Sequence, residues 1–385
     1  MNTSIYSRIF KLAILACLML NVACLKKDDK TIMLNGGRTH TTIPDDSIAT
    51  PNPDIGTPNT RIPNFIFKYA EESTDDNKIV RFDVSGIQIP DSNNYLVLSG
   101  TGDQEQDLWV EVDGGPKGLL IYKADEEDTK LCSDFVFLID NSGSMDDEAN
   151  AIARDIVEWA QTLSQSIDIR FAIVGYDGRI TGAINFTTPD NIATYLNRST
   201  GVERTCGFSG DDAAALETAA GKYGGTSATE CPMMALHYAN DNLAFREGAN
   251  RVYVNFTDEP NESYDRDEYS VHYLASQDNW DPANGTIHTV YSSTDNQYND
   301  SGTVERPWMM SEYTGGTVLF TNASFTGVSL NDLPVTGSMK NTYVVKFGNV
   351  MQYMDNKKHT IKLTVMTIDR MVRAEREYEV NFSEL

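Results

Sequence analysis

Asp140-Asn141-Ser142-Gly143-Ser144 sets one carboxylate and two hydroxyls at alternate positions, directly after the apolar run Phe135-Val136-Phe137-Leu138-Ile139. Such donors suit a hard divalent cation like Mg²⁺, which takes near-octahedral oxygen coordination at roughly 2.0–2.1 Å and keeps several waters. One carboxylate, two hydroxyls and a second carboxylate from elsewhere in the chain would satisfy it. Gly143 is expected to let the loop fold tightly enough to turn both serines inward. A plainer use of the same residues is a helix N-cap, with Ser144 or Asp146 satisfying the free amides of the next helix. Enzymatic patterns are absent. His40, His237, His272, His288 and His359 are scattered and form no His-Glu-x-x-His zinc motif. There is no phosphate-cradling G-x-x-x-x-G-K-[ST] loop, and Gly207-Phe208-Ser209-Gly210 lacks the spacing of a nucleophile elbow. The chain is therefore expected not to be an enzyme. The remaining enzymatic alternative is a carboxylate-based hydrolase, whose acid pair is spaced in three dimensions and cannot be singled out in sequence.

The elements that would carry this loop alternate between strand and helix. Phe135–Ile139 is continuously apolar, as in a strand covered on both faces. Ile152, Ile156, Trp159 and Leu163 recur at helical spacing on one face, with Asp146, Asp147 and Glu148 in the first turn, where the helix dipole favours acids. Further strands are read at Arg170–Tyr176, Arg251–Phe256, Thr286–Tyr291 and Thr317–Phe320, and helices at Met233–Asn242 and Tyr269–Ser276. The fold class is α/β, an open and mostly parallel sheet with helices on both faces, over residues 131–330. Ligand sites of such sheets lie beyond the carboxyl ends of the strands, where Asp140 stands. Residues 63–130 and 331–385 read instead as short antiparallel strands; Ile361, Leu363 and Val365 alternate with polar residues, as do Tyr378, Val380 and Phe382. The α/β part is expected to be inserted into, or flanked by, an antiparallel β-sandwich, with one sandwich built from both flanks as the simplest arrangement.

Two later elements join the first loop. Gly224-Gly225-Thr226 precedes the helix with Ala235-Leu236, and Phe256-Thr257-Asp258 directly follows Val252-Tyr253-Val254. Together with Asp140, Ser142 and Ser144 these resemble the metal-ion-dependent adhesion site of the von Willebrand factor type A domain, over residues 131–325. The resemblance implies a cation held by Asp140, Ser142, Ser144, a threonine and Asp258. Thr226 follows the paired glycines, and Thr229 is the alternative, itself also a candidate helix cap. Mg²⁺ is the expected ion, with Mn²⁺ or Ca²⁺ as alternatives. In this family an acidic side chain from a partner completes the metal sphere, so the expected partner is a protein or extracellular-matrix ligand offering a carboxylate. Glu259 stands where the family often has glycine and would add a carboxylate to the rim, as would Asp146, Asp147, Glu148, Asp211 and Asp212.

The chain of 385 residues has 31 Lys+Arg against 56 Asp+Glu, a net charge of −25, which excludes a general nucleic-acid binder. With 40% hydrophobic residues it is globular rather than disordered, and long enough for two domains. Residues 1–24 run from Arg8 and Lys11 through an apolar stretch to Val22-Ala23-Cys24, the layout of an export signal too short to span a membrane comfortably. Cys24 after Ala23 resembles the lipidated cysteine of bacterial lipoproteins, and Leu25-Lys26-Lys27-Asp28-Asp29 resembles a tag for export to the outer face of the outer membrane. Those resemblances imply membrane contact through the lipid anchor only, with the rest of the chain exposed at the cell surface. Residues 25–62, rich in Thr, Asn, Pro, Asp and Gly, read as a flexible tether. Export permits one disulfide among the three remaining cysteines, for which Cys206 with Cys231 is the favoured pair and Cys132 a buried free thiol. The expected function is cation-dependent adhesion at the cell surface. The alternative is a structural component of an envelope or appendage assembly in which the cation stabilises the fold.

Overall fold

The computed structural model describes residues 42–385 apart from 93, 104, 125–131, 165–167, 225–229, 293–303, 323–324 and 326–333. Before the centre come five short strands, β1 (Lys68–Tyr69), β2 (Val80–Val84), β3 (Leu108–Val112), β4 (Gly115–Pro116) and β5 (Leu120–Lys123). Leu108, Val110 and Val112 of β3 are buried while Trp109 and Glu111 are only partly so, the alternation of a strand with one face inward.

The centre contains β6 (Cys132–Asp140), β7 (Asp168–Tyr176), β8 (Ile180–Thr187), β9 (Gly207–Ser209), β10 (Asn250–Thr257), β11 (Asn261–Glu262), β12 (Thr286–Tyr291), β13 (Val304–Glu305) and β14 (Val318–Phe320). Its helices are α1 (Asp146–Leu163), α2 (Pro189–Leu196), α3 (Ala213–Ala220), α4 (Pro232–Asn242) and α5 (Met309–Thr314). Seven strands form one sheet in the order β14-β12-β10-β6-β7-β8-β9. From β14 to β7 all neighbours are parallel; β8 turns back antiparallel to β7, and β9 runs parallel to β8. Both faces are covered. Phe135, Phe137 and Ile139 of β6 join the core beneath α1 and α2, while Val136 and Leu138 join the core beneath α3, α4 and α5. Ile152, Ile156, Trp159 and Leu163 of α1 are all buried, as their spacing predicts. This is the open, mostly parallel α/β sheet expected from the sequence. The helix expected over Tyr269–Ser276 is instead two 3₁₀ turns, Asp267–Tyr269 and Val271–Ala275, because Ser270 between them is extended and its hydroxyl accepts from the His272 N–H.

The chain then makes α6 (Pro334–Lys340), β15 (Tyr343–Phe347), β16 (Lys358–Met366) and β17 (Arg373–Asn381). One four-stranded sheet has the order β1-β2-β15-β5 and the other β17-β16-β3-β4. Each sheet draws strands from both flanks, so the α/β unit is inserted into a single sandwich. Val80, Phe82, Val345 and Phe347 of one sheet meet Val110, Leu363, Val365 and Tyr378 of the other in a common core. On the far side of the first sheet, Leu120, Tyr122 and Val344 join the core that holds Trp159, Val335 and Met339. Trp159 Nε1 also donates to Thr336 Oγ1 at 2.6 Å, tying α1 to α6. Residues 42–62, expected to be tether, lie against the sandwich instead. Ile55 and Ile62 are buried, and the Asn52 N–H donates to Glu111 at 2.8 Å. Composition pointed to disorder because little apolar surface is buried there; side-chain hydrogen bonds to distant strands do the fastening.

Candidate metal site

β6 and β10 are parallel neighbours with Ile139 opposite Phe256, so their carboxyl ends deliver Asp140 and Thr257-Asp258 to one place. Asp140 is 1% exposed. Its Oδ1 accepts from the Ser142 N–H at 2.8 Å and its Oδ2 from Thr257 Oγ1 at 2.7 Å. The Ser142 and Ser144 hydroxyls are 2.9 Å apart, and Ser144 Oγ donates to Asp258 Oδ1 at 3.1 Å. Neither serine caps a helix: the 3₁₀ turn Gly143–Met145 and α1 after it both begin without a side-chain cap bond. The two hydroxyls face each other and Asp258. Asn141 points the other way, donating to Thr181 Oγ1 at 2.5 Å and accepting from Thr205 Oγ1. At Gly143 a Cβ would meet nothing within 4 Å, and φ is not positive, so the tight turn does not require glycine there.

Four carboxyl groups in this corner, those of Asp140, Asp258, Glu259 and Glu230, have raised pKa values. Burial pushes Asp140 up to about 8 against the opposing hydrogen bonds from Thr257 and Ser142, with the Glu230 charge adding to the rise. Burial also raises Asp258, partly offset by the Ser144 bond. Glu259 is raised by burial and then by the Asp258 charge, and Glu230 by burial, with Glu259, Asp177 and Asp258 contributing. Such shifts mark carboxylates that lack a positive partner. Among the described residues, no three His, Cys, Asp or Glu side chains are grouped so as to hold a metal by themselves. The donors here are mixed, two carboxylates and two hydroxyls, all oxygen. They fit a hard divalent ion, whose charge would relieve the cluster and whose remaining positions water would fill.

No family model matches the chain, and no curated protein sequence matches it. Solved structures similar to it include the conserved hypothetical protein BatB from Bacteroides thetaiotaomicron, 12% identical, covering 54% of this chain and 96% of that one with a TM-score of 0.33. The vWF domain of the type V pili tip protein Mfa5 from Porphyromonas gingivalis is 10% identical and covers 55% and 97%, with a TM-score of 0.32. The PilB minor pilin from Streptococcus sanguinis is 14% identical and covers 72% and 76%, with a TM-score of 0.36.

Of the residues singled out in the sequence, Asp140, Ser142, Ser144 and Asp258 are brought together. Thr226, Thr229 and Cys24 lie outside the described residues. The positions flanking 225–229 are fixed near the site: Gly224 bridges to Arg179 in the β7–β8 turn, and the Glu230 carbonyl accepts from the Glu262 N–H at 2.9 Å. Four expectations are corrected. Cys206 and Cys231 are free thiols rather than a disulfide. Cys206 Sγ lies against Asn141 Nδ2 and the Val202 carbonyl, whereas Cys231 is buried at the start of α4, accepting from the Met234 N–H beside Asn261. Cys132 is free as expected but only partly buried. Asp211 and Asp212 do not reach the rim. They line a cleft with Arg170 and Ala244, toward the amino end of β7. Glu148 is fully buried, so it is no part of an exposed rim either. Thr257 and Glu230 were missed. Thr257 adjoins Asp258 and could have been found from that adjacency; Glu230 carries no local signal. No helix among the described residues is long and apolar enough to cross a membrane.

Proposed function

We propose that the chain is a surface-exposed binding protein, not an enzyme, whose α/β unit engages a carboxylate-bearing protein or matrix partner through a divalent cation, Mg²⁺ first. The observation that carries this reading is the chain of contacts Asp140–Ser142–Ser144–Asp258 at the carboxyl ends of β6 and β10. When bound, the cation supplies a positive centre with a coordination position open to an outside carboxylate. Ser142 and Ser144 present hydroxyl oxygens to it, Asp258 a carboxylate, and Thr257 with the Ser142 N–H orients Asp140. A threonine at 226 or 229 completes the set in the type A reading. Glu230 and Glu259 give the rim a negative field that disfavours bare acidic surfaces and favours partners carrying basic groups beside their acid. The sandwich serves as a base, and lipidation at Cys24 would hold it at the outer membrane. Calorimetric titration of Mg²⁺ and Mn²⁺ into the full chain in detergent should show one site, lost in Asp140→Ala. Absence of heat in the wild type, or equal heat in the variant, overturns the metal site.

A further inference from the structure

Residues 43–64 contain little regular structure beyond a 3₁₀ turn at Asp46–Ile48, yet they are fastened along their whole length. At the start, Ile43 packs on the core shared by the sandwich and the inserted unit. The Pro44 carbonyl lies so close to Gly118 that a Cβ there would come within 2.0 Å of it. Asp46 accepts from the Gly118 N–H at 2.9 Å and from Lys117 Nζ at 3.0 Å. The segment then crosses the outer face of the second sheet. Trp109 Nε1 donates to Thr50 Oγ1 at 3.0 Å, the Asn52 N–H to Glu111 at 2.8 Å, and Asn52 Nδ2 to Thr364 Oγ1 at 2.9 Å. At the edge strand β17, the Asn59 and Thr60 N–H groups both donate to the Arg373 carbonyl, and the Arg373 N–H donates back to Asn59 Oδ1 at 2.8 Å.

Its end enters the inserted unit. The Ile62 carbonyl accepts from Arg376 at 2.9 Å and sits where a Cβ on Gly315 would be 2.2 Å away, a contact that only glycine, here at φ +76, allows. The Asn64 N–H donates to the Thr314 carbonyl at 3.0 Å, Asn64 Nδ2 to the Gly285 carbonyl at 2.9 Å, and Thr286 Oγ1 to the Asn64 carbonyl at 3.0 Å. The segment thus meets the shared core and the sandwich at its start, the sandwich along its middle and the inserted unit at its end. Its attachments are chiefly single side-chain hydrogen bonds to distant strands. Segments held that way, with few buried apolar contacts, open at lower free energy than the cores beneath them.

We propose that residues 43–64 are a releasable strap, which leaves the sandwich as one unit before either core unfolds and in doing so unseats the inserted unit at Thr314–Gly315 and Gly285–Thr286. α5 runs from that seat to Trp308, whose ring meets Tyr291 edge-on at 5.1 Å between centroids at the carboxyl end of β12, and β12 is the parallel neighbour of β10. Release therefore loosens a support two steps from Asp258. Hydrogen exchange on the full chain in detergent, at rising sub-denaturing urea, tests this. The Gly118, Asn52, Asn59, Thr60, Asn64 and Arg373 amides should exchange together, at lower urea than those of β6 and β16. Asn52→Ala, in the middle of the strap, should speed all six roughly five- to tenfold, Gly118 and Asn64 at the far ends included, and leave β6 and β16 unchanged. Trp109→Phe, which removes the donor to Thr50, should do the same. Acceleration confined to residues beside the substitution would show a set of separate contacts and overturn the strap. So would strap amides that exchange only with the global transition.

Discussion

Strand β6 carries a buried aspartate near each end, and the two are treated in opposite ways. Asp134, at the amino end, is 0% exposed and clamped by two guanidinium groups. Arg170 Nη2 reaches Oδ2 at 2.7 Å and Arg170 Nε reaches Oδ1 at 3.1 Å; Arg246 Nε reaches Oδ1 at 2.9 Å, and the Arg246 backbone N–H adds a fourth bond at 2.7 Å. Asp140, at the carboxyl end, receives a hydroxyl and an amide, and the charges that act on it most strongly include another carboxylate, Glu230. A buried carboxylate left without a positive partner is costly. The chain neutralises one end of the strand with its own residues and leaves the other end to a proton or, in the proposed function, to a cation. Asp107 in the sandwich shows the proton solution alone: burial raises its pKa to about 7, with Asp103 and Glu105 as charged neighbours, although Oδ1 accepts from the Ser99 N–H at 2.7 Å.

The contrast can be broken from its paired end with the largest effect. Arg246→Ala removes bonds to Asp134, Asp168 and the Ser133 carbonyl and leaves a buried charge half compensated. Urea unfolding should show a loss of about 3 kcal/mol or more. A loss below ~1 kcal/mol would mean that Arg170 alone suffices. At the unpaired end the sign reverses. In chelator at pH 7, Asp140→Asn should be more stable than wild type by about 2 kcal/mol, and Mg²⁺ should raise the Tm of the wild type only. A destabilised variant would show that Asp140 is not a site of stored cost. The smallest effect belongs to Asp107→Asn and depends on pH. Its folded pKa lies above the usual 3.8, so the group's full contribution is present below about pH 4 and is lost as pH rises to about 7. The variant should match wild type near pH 4 and exceed it by roughly 1–2 kcal/mol at pH 8 in denaturant titrations. Equal stability at both pH values would remove Asp107 from the comparison.

The parts of the molecule readable from its sequence are those with local periodicity. The doubly covered run before Asp140, the face of α1 and the alternation in β16 each state their environment within a few residues. The Asp-x-Ser-x-Ser loop was legible because its donors are adjacent in sequence and end a strand. What stayed hidden is non-local. Residues 43–64 bury few apolar groups, so no pattern marks them, and their partners, from Glu111 to Arg373, lie far along the chain. The short edge strand β9 and antiparallel β8 interrupt an otherwise parallel sheet without a distinctive composition. Glu230 joins the acidic corner from a loop whose backbone is tied to Glu262, a partner that no local pattern announces. Cysteine parity permitted Cys206 with Cys231, but parity says nothing about geometry, and one thiol lies beside Asn141 while the other is sealed against Asn261.

The inserted unit leaves the sandwich after Lys123 and returns at Tyr343, and those two residues are register partners on adjacent antiparallel strands. Cα atoms of such partners are only about 4.5–5.5 Å apart. Along the covalent chain, everything between them takes the place of a hairpin turn. A head attached in that way enters and leaves its pedestal without rewiring a single strand of it. A pull on the head is carried by the backbone into two neighbouring strands at once, where Tyr343 pairs with Lys123, and beside them by the core that Leu120, Tyr122 and Val344 share with Trp159.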